Sequence, residues 1–105
     1  MTNTYIGTDG HKVHVERRSA NGRVKIVELP HRRDIVNHSR KRFSWGNGCA
    51  QAAQLALAVL CFEAGVRAAL KLHECFMWEV VARFPEDFRM SGEEVRAWVN
   101  GQRER

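Results

Sequence analysis

Hydrophobic and polar positions alternate over residues 1–30 and fall into helical periods after residue 46. In HKVHVERR, Val13 and Val15 lie on one side and His14 and Glu16 on the other. In RVKIVEL, Val24 and Ile26 alternate with Arg23, Lys25 and Val27. Period two with β-branched residues marks half-buried strands. TYIGTDG reads as another short strand running into a turn. Within SANG, Asn21-Gly22 supplies the positive φ values that a tight hairpin needs. A two- or three-stranded antiparallel sheet follows, and Leu29-Pro30 ends it because proline cannot donate to a ladder.

Residues 31–45 have no sustained period. They read as an ordered loop with one helical turn near Arg32 to Val36, its end pinned by Phe43 and Trp45. From Gly46 to Phe62 no residue is charged. A helix is expected there, starting between Asn47 and Ala52 and ending near Glu63, since alanine and leucine dominate it. It is apolar on nearly every face, interrupted by Gln54, and a helix of that kind is buried. Gly65 closes it. The next helix runs from Val66 to Phe84 and stops at Pro85. Val66, Ala69, Leu70, His73, Phe76, Met77, Val80, Val81 and Phe84 make its broad apolar face, while Arg67, Lys71 and Glu74 face away. Ser91 and Glu94 form a capping box for a last helix, with Val95, Trp98 and Val99 on its inner side and Gly101 at its end. The expected fold is α+β: a short N-terminal antiparallel hairpin or three-stranded sheet, then three helices around a buried central one. One domain is expected over residues 1–105, with a β region (1–30), a basic ordered loop (31–46), a helical region (47–101) and a frayed tail (102–105).

Charge adds something the pattern does not. The net charge is +5, and residues 1–45 hold ten Lys/Arg against four Asp/Glu, so the whole excess sits in the first half. That asymmetry speaks to partners rather than fold. The longest apolar stretch, Ala52 to Phe62, is too short to span a bilayer, which takes about 20 residues. The first residues lack the basic-then-apolar order of a secretory signal, so a cytoplasmic protein with no membrane contact is expected. Three cysteines without close spacing do not make a disulfide framework.

The stretch NHSRKRFSWGNGCAQAAQLALAVL resembles a family of small bacterial and phage proteins of uncharacterised function. The resemblance rests on Tyr5 and Gly7, on Phe43, Trp45 and Gly46, and on Gln54 to Ala58. It continues through Leu72, His73, Phe76, Glu79 to Phe84 and Pro85, and ends on a helix similar to residues 93–98. It covers most of the chain. Its members resemble accessory proteins of phages, prophages and plasmids, which implies host interaction or interference with defence. Where they carry Trp-Gly-Tyr-Gly-Gly-Ser-Gly-Pro, this chain has Trp45-Gly46-Asn47-Gly48-Cys49-Ala50-Gln51-Ala52.

Four candidate sites remain. Phe43, Trp45, Gly46, Gly48 and His73 form a structural junction. Its glycine turn opens a helix, where free N–H groups can take an anion, but it lacks the Lys-Ser/Thr of a P-loop. Cys49 stands at a helix start, which lowers a thiol pKa, but no motif pairs it with a base. Cys49, Cys61, Cys75 and His73 lack the tight ligand pair usual in structural zinc. No catalytic residue, cofactor or metal is therefore expected. His73 is expected to be a partly buried ring donating to a loop carbonyl near Asn37 or Trp45. Trp78, on the polar side of its helix with Arg67, Lys71 and Glu74, either covers the sheet or marks a protein partner or homodimer surface. Arg17, Arg18, Arg23, Lys25, Arg32, Arg33, Arg40, Lys41 and Arg42 could lie along a phosphate backbone, giving contact with nucleic acid or a nucleoprotein as the alternative function. The leading expectation is a small non-enzymatic interaction protein that binds a host or defence-system protein.

Overall fold

A computed structural model of the chain describes residues 2–103. Three strands come first, β1 (Thr2–Thr8), β2 (Lys12–Arg18) and β3 (Val24–Glu28). Helices α1 (Ala50–Ala64) and α2 (Val66–Glu79) follow, then strand β4 (Phe88–Ser91) and helix α3 (Gly92–Arg103). All four strands form one antiparallel sheet in the order β3-β2-β1-β4. The α+β reading is correct, with the sheet one strand wider than the sequence indicated. FRMS is short and follows a helix, so its strand character comes from pairing with β1 at Thr4 to Gly7 rather than from any period of its own.

Register decides which side chains face inward. Val27, Val15, Tyr5 and Met90 stand opposite one another across the four strands. Tyr5 and Val15 are fully buried, and Val27 and Met90 pack against the same core. Val24 and Ile26, the apolar pair of β3, lie on the opposite face and are exposed. Alternation in a strand defines two faces, and the partner strand chooses the inner one. The chain does turn at Asn21-Gly22, but only Gly22 takes a positive φ, +84°, and residues 19–23 make a longer connection than a tight two-residue turn, with the Asn21 side-chain oxygen accepting from Arg23 N.

Helix α1 is the centre of the molecule, as its composition implied. Ala52 to Cys61 are all buried, α2 and α3 pack against the helix, and its last turn meets the inner sheet face where Tyr5 touches Phe62 and Glu63. Helix α2 stops earlier than expected. Val80 leaves helical geometry at φ −122°, and Val81–Arg83 make a single turn of 3-10 helix. The Val81 carbonyl accepts from both Gly46 N and Phe84 N, and Phe84 stacks on Phe88 at 4.1 Å. Val66 and Leu70, placed by the sequence on the inner face, are instead exposed, because α1 covers only the row through Ala69, His73, Phe76 and Met77. The capping box at Ser91 and Glu94 is present in both directions. Helix α3 continues past Gly101, so Gln102 and Arg103, the first residues of the expected tail, are helical. The rest of that tail, residues 104–105, lies outside the described residues. Among the described residues no helix is long and apolar enough to cross a membrane.

Two buried polar side chains tie these layers together. Glu63, near the end of α1, has a side chain only 3% exposed. It accepts hydrogen bonds from Tyr5 Oη at 2.8 Å, from Asn3 Nδ2 at 3.0 Å and from Arg96. Gly92 packs against this carboxylate, and a Cβ there would overlap it. Burial first, and then the Glu63 hydrogen bond and charge, push the Tyr5 hydroxyl far above its ordinary pKa of 10.0. In the unfolded chain that hydroxyl ionises near pH 10, whereas in the fold it stays protonated. The stability it contributes is therefore complete below pH 10 and is lost as pH rises above it, with a slope approaching about 1.4 kcal/mol per pH unit. Tyr5 is the one tyrosine in the chain, so tyrosinate absorbance should appear only with unfolding. Tyr5→Phe should remove this part of the alkaline slope. A tyrosinate signal from folded protein near pH 10 would contradict the burial argument.

Candidate functional site

The junction between loop and helix is assembled from the residues the sequence singled out. Phe43 is buried with its ring stacked on His31 at 3.9 Å. Trp45 is also buried, and its Nε1 donates to the carbonyls of Pro85 and Glu86 at 2.8 and 3.0 Å. Its ring meets Phe88 edge-on at 4.9 Å. Gly46 takes φ +81°, the left-handed region that favours glycine. Gly48 lies under the indole of Trp78, where a Cβ would overlap the ring. The loop end, the turn after α2 and the side chain of Trp78 thus meet at one place.

His73 is buried, but neither Asn37 nor Trp45 is its partner. Its Nδ1 lies 2.8 Å from the Ala69 carbonyl one turn back, and its Nε2 lies 2.8 Å from His38 Nε2 in the loop. The carbonyl can only accept, so Nδ1 carries a proton. In the neutral pair His73 Nε2 then accepts from His38. Burial, then the neighbouring His73, lower the His38 pKa below 6.5. The fold therefore favours a neutral His38, and that contribution is lost as pH falls below 6.5. Two imidazolium rings could not share this contact.

Gln54 holds the same loop. It is 1% exposed, and its side chain makes four hydrogen bonds. Oε1 accepts from His38 N at 2.8 Å and Ser39 N at 3.3 Å, and Nε2 donates to the carbonyls of His31 and Val36 at 2.7 and 3.0 Å. The loop also contains the expected helical turn, with Ile35 N and Val36 N bonded to the Arg32 carbonyl.

The outer face of α2 behaves differently. Trp78 does not cover the sheet. It is 61% exposed and touches the molecule at Gly48. Arg67, Lys71 and Glu74 are exposed with it. At about 100° per residue, Leu70, Glu74, Arg67, Trp78 and Lys71 occupy roughly 100° of the helix circumference, so they form one continuous strip. Leu70 is 50% exposed at its edge, and Val66 is exposed in the first turn. A hollow of about 320 Å³ between α2 and the end of α3 adjoins this strip through Arg67 and Lys71.

The nine basic residues do not share one surface. Arg17 is on the inner sheet face, where its guanidinium lies 5.1 Å over the Phe62 ring and its Nε donates to Asn3. Lys25 stands opposite it in register, whereas Arg18 points to the outer face and Arg23 follows the hairpin turn. Arg32 pairs with Asp34, and Arg33 donates to the carbonyls of Ser39 and Lys41, so both serve the loop itself. Arg40, Lys41 and Arg42 are exposed. Among the described residues no three His, Cys, Asp or Glu side chains converge to hold a metal.

Sequence reasoning did not assign roles to Gln54, Glu63 or His38. Gln54 had a signal, since a polar residue within a buried apolar run must find partners. Glu63 and Tyr5 are 58 residues apart, and no local pattern links them.

The fold and its surfaces define a small α+β domain with a tryptophan-bearing helix face and a basic loop tied to a buried central helix. The model of a family of unknown function (DUF6166) matches residues 6–101, and the chain belongs to that family. No curated protein and no solved structure matches it.

Proposed function

We propose that the chain is an interaction protein, acting by contact rather than catalysis, and that it engages another protein through the outer strip of α2. The observation that carries this is Trp78, 61% exposed in line with Leu70 at 50%. Tryptophan is a frequent anchor of protein interfaces, with arginine a common companion, and here Trp78 stands beside Arg67 among charged side chains with Leu70 at the edge of the strip. Arg67 and Lys71 beside the α2–α3 hollow suit a partner segment with an acidic side chain. The resemblance to accessory proteins of phages and plasmids points to a host or defence-system protein as that partner. Leu70→Glu and Trp78→Ala should leave the fold intact by circular dichroism. A partner identified by capture and rebuilt from purified components should bind wild type and lose at least about tenfold in affinity with Leu70→Glu. Sedimentation of the free chain tests the homodimer in the same way. Undiminished binding to both variants would remove this surface.

The exposed Arg40-Lys41-Arg42 run supports a second reading, contact with nucleic acid or a nucleoprotein. Binding to duplex or single-stranded oligonucleotides should then weaken steeply with salt. No binding at low salt would remove it.

A further inference from the structure

An open cleft of about 760 Å³ lies away from α2, between the start of β2, the end of β3 and the loop at Arg42 and Phe43. We propose that this cleft binds a nucleotide-sized phosphate monoester, with Arg42 and Lys12 on the phosphate, Glu28 on the sugar hydroxyls and the ring system against His31.

Size and chemistry agree. Small-molecule sites run from about 300 to 1,000 Å³, mostly apolar with a few converging polar groups. Val13, Leu29, Pro30 and Phe43 supply the apolar part of this lining. His11, Lys12, His14 and Arg42 bring nitrogen donors to its rim, against Glu28 as the one carboxylate among the lining residues. A phosphate monoester is dianionic or nearly so, and guanidinium or ammonium groups take it by charge-assisted hydrogen bonds. A carboxylate can accept from the hydroxyls of a ribose.

These groups have capacity to spare. Among the described residues the Arg42 guanidinium and the His14 ring make no hydrogen bond or ion pair, while Arg42 contributes its backbone carbonyl to Gln51. Among the described residues Lys12 pairs only with Asp9 at 3.4 Å, both side chains about two-thirds exposed, and such a pair costs little to exchange. By contrast, Arg32 and Arg33 are occupied in shaping the loop that presents Arg42. His31 is held rigid, with one ring face stacked on Phe43. Its Nε2 is buried and has no partner among the described residues. His31 therefore brings an aromatic ring to the cleft lining, backed by Phe43. The proposal favours a small ligand over a long nucleic acid because Arg18, Arg23, Arg40 and Lys41 do not line the cleft.

Titration calorimetry of the full chain with AMP, GMP, CMP and UMP tests this, with adenosine and inorganic phosphate alongside. At least one mononucleotide should saturate at one per chain. Adenosine and inorganic phosphate should each bind at least about tenfold more weakly than AMP or its best-binding counterpart. Arg42→Gln and Lys12→Gln, both at exposed positions, should keep the wild-type circular dichroism and lower that affinity at least about tenfold. Arg40→Gln, outside the cleft, should bind as wild type. If no mononucleotide saturates in the millimolar range, or if Arg42→Gln and Lys12→Gln both bind as wild type, the proposal fails. It also fails if single-stranded oligonucleotides bind but mononucleotides do not compete with them, since the basic loop would then be a nucleic-acid surface instead. Neither outcome bears on the α2 strip.

Discussion

Gln54→Leu should lower folding stability by about 3–5 kcal/mol, a loss large enough to shift a urea midpoint plainly. Leucine has nearly the volume of glutamine and suits a helix interior, so no cavity is made. What is lost is the set of four hydrogen bonds that fix residues 31–39 to α1. Two N–H groups and two carbonyls would be left in a largely closed space. A buried polar group without a partner costs about 1–3 kcal/mol, and water reaching part of this half-buried loop would recover some of it. Hydrogen exchange provides a specific reading: the amides of His38 and Ser39 should lose protection beyond the global change. Gln51→Leu is the matched control, because Gln51 makes one bond, to the Arg42 carbonyl at 2.8 Å. It should cost under about 1 kcal/mol. Equal stability of Gln54→Leu and wild type would show that the loop is held by something else.

The second large effect is expected at Glu63. Glu63→Leu should cost about 3 kcal/mol, because it strands the Tyr5 hydroxyl and the Asn3 amide beneath α3. Arg96 contributes less to that loss, since its side chain is 48% exposed and can turn to water. A buried carboxylate is not stabilising merely by being paired, because its desolvation offsets much of the attraction. The prediction therefore rests on the orphaned partners. It follows that Tyr5→Phe combined with Glu63→Leu should be less damaging than the sum of the two single changes, measured by urea unfolding as a double-mutant cycle. Strict additivity would mean that the hydroxyl and the carboxylate do not act together. Gly92 belongs to the same arrangement, since any side chain there displaces the carboxylate.

Both effects lie in polar groups that connect distant segments, and such groups are where the sequence was hardest to read. Gln54 was visible as a break in an apolar run, but its partners in a loop without periodicity were not. Glu63 looked like an ordinary helix end. The His38–His73 contact joins a loop residue to a helix residue 35 positions away, so the histidine was identifiable as unusual while its partner was not. On α2, the strip around Trp78 was legible from helical spacing, but Val66 and Leu70 were assigned inward because a helical wheel cannot show how much of its apolar face a neighbour covers.

The sequence alone determined the elements whose cause is local. These are the two alternating strands and their Asn-Gly turn, the charge-free helix that had to be buried, the capping box at Ser91, and the anchoring of Phe43 and Trp45. Each follows from side-chain period, backbone propensity or burial of large apolar groups. The tertiary structure decided the rest: the fourth strand, the inward parity of β3, the early end of α2, and the cleft between β2, β3 and the loop. Those depend on which surface meets which, and a strand edge or a half-covered face carries no mark of its neighbour until the chain has closed around it.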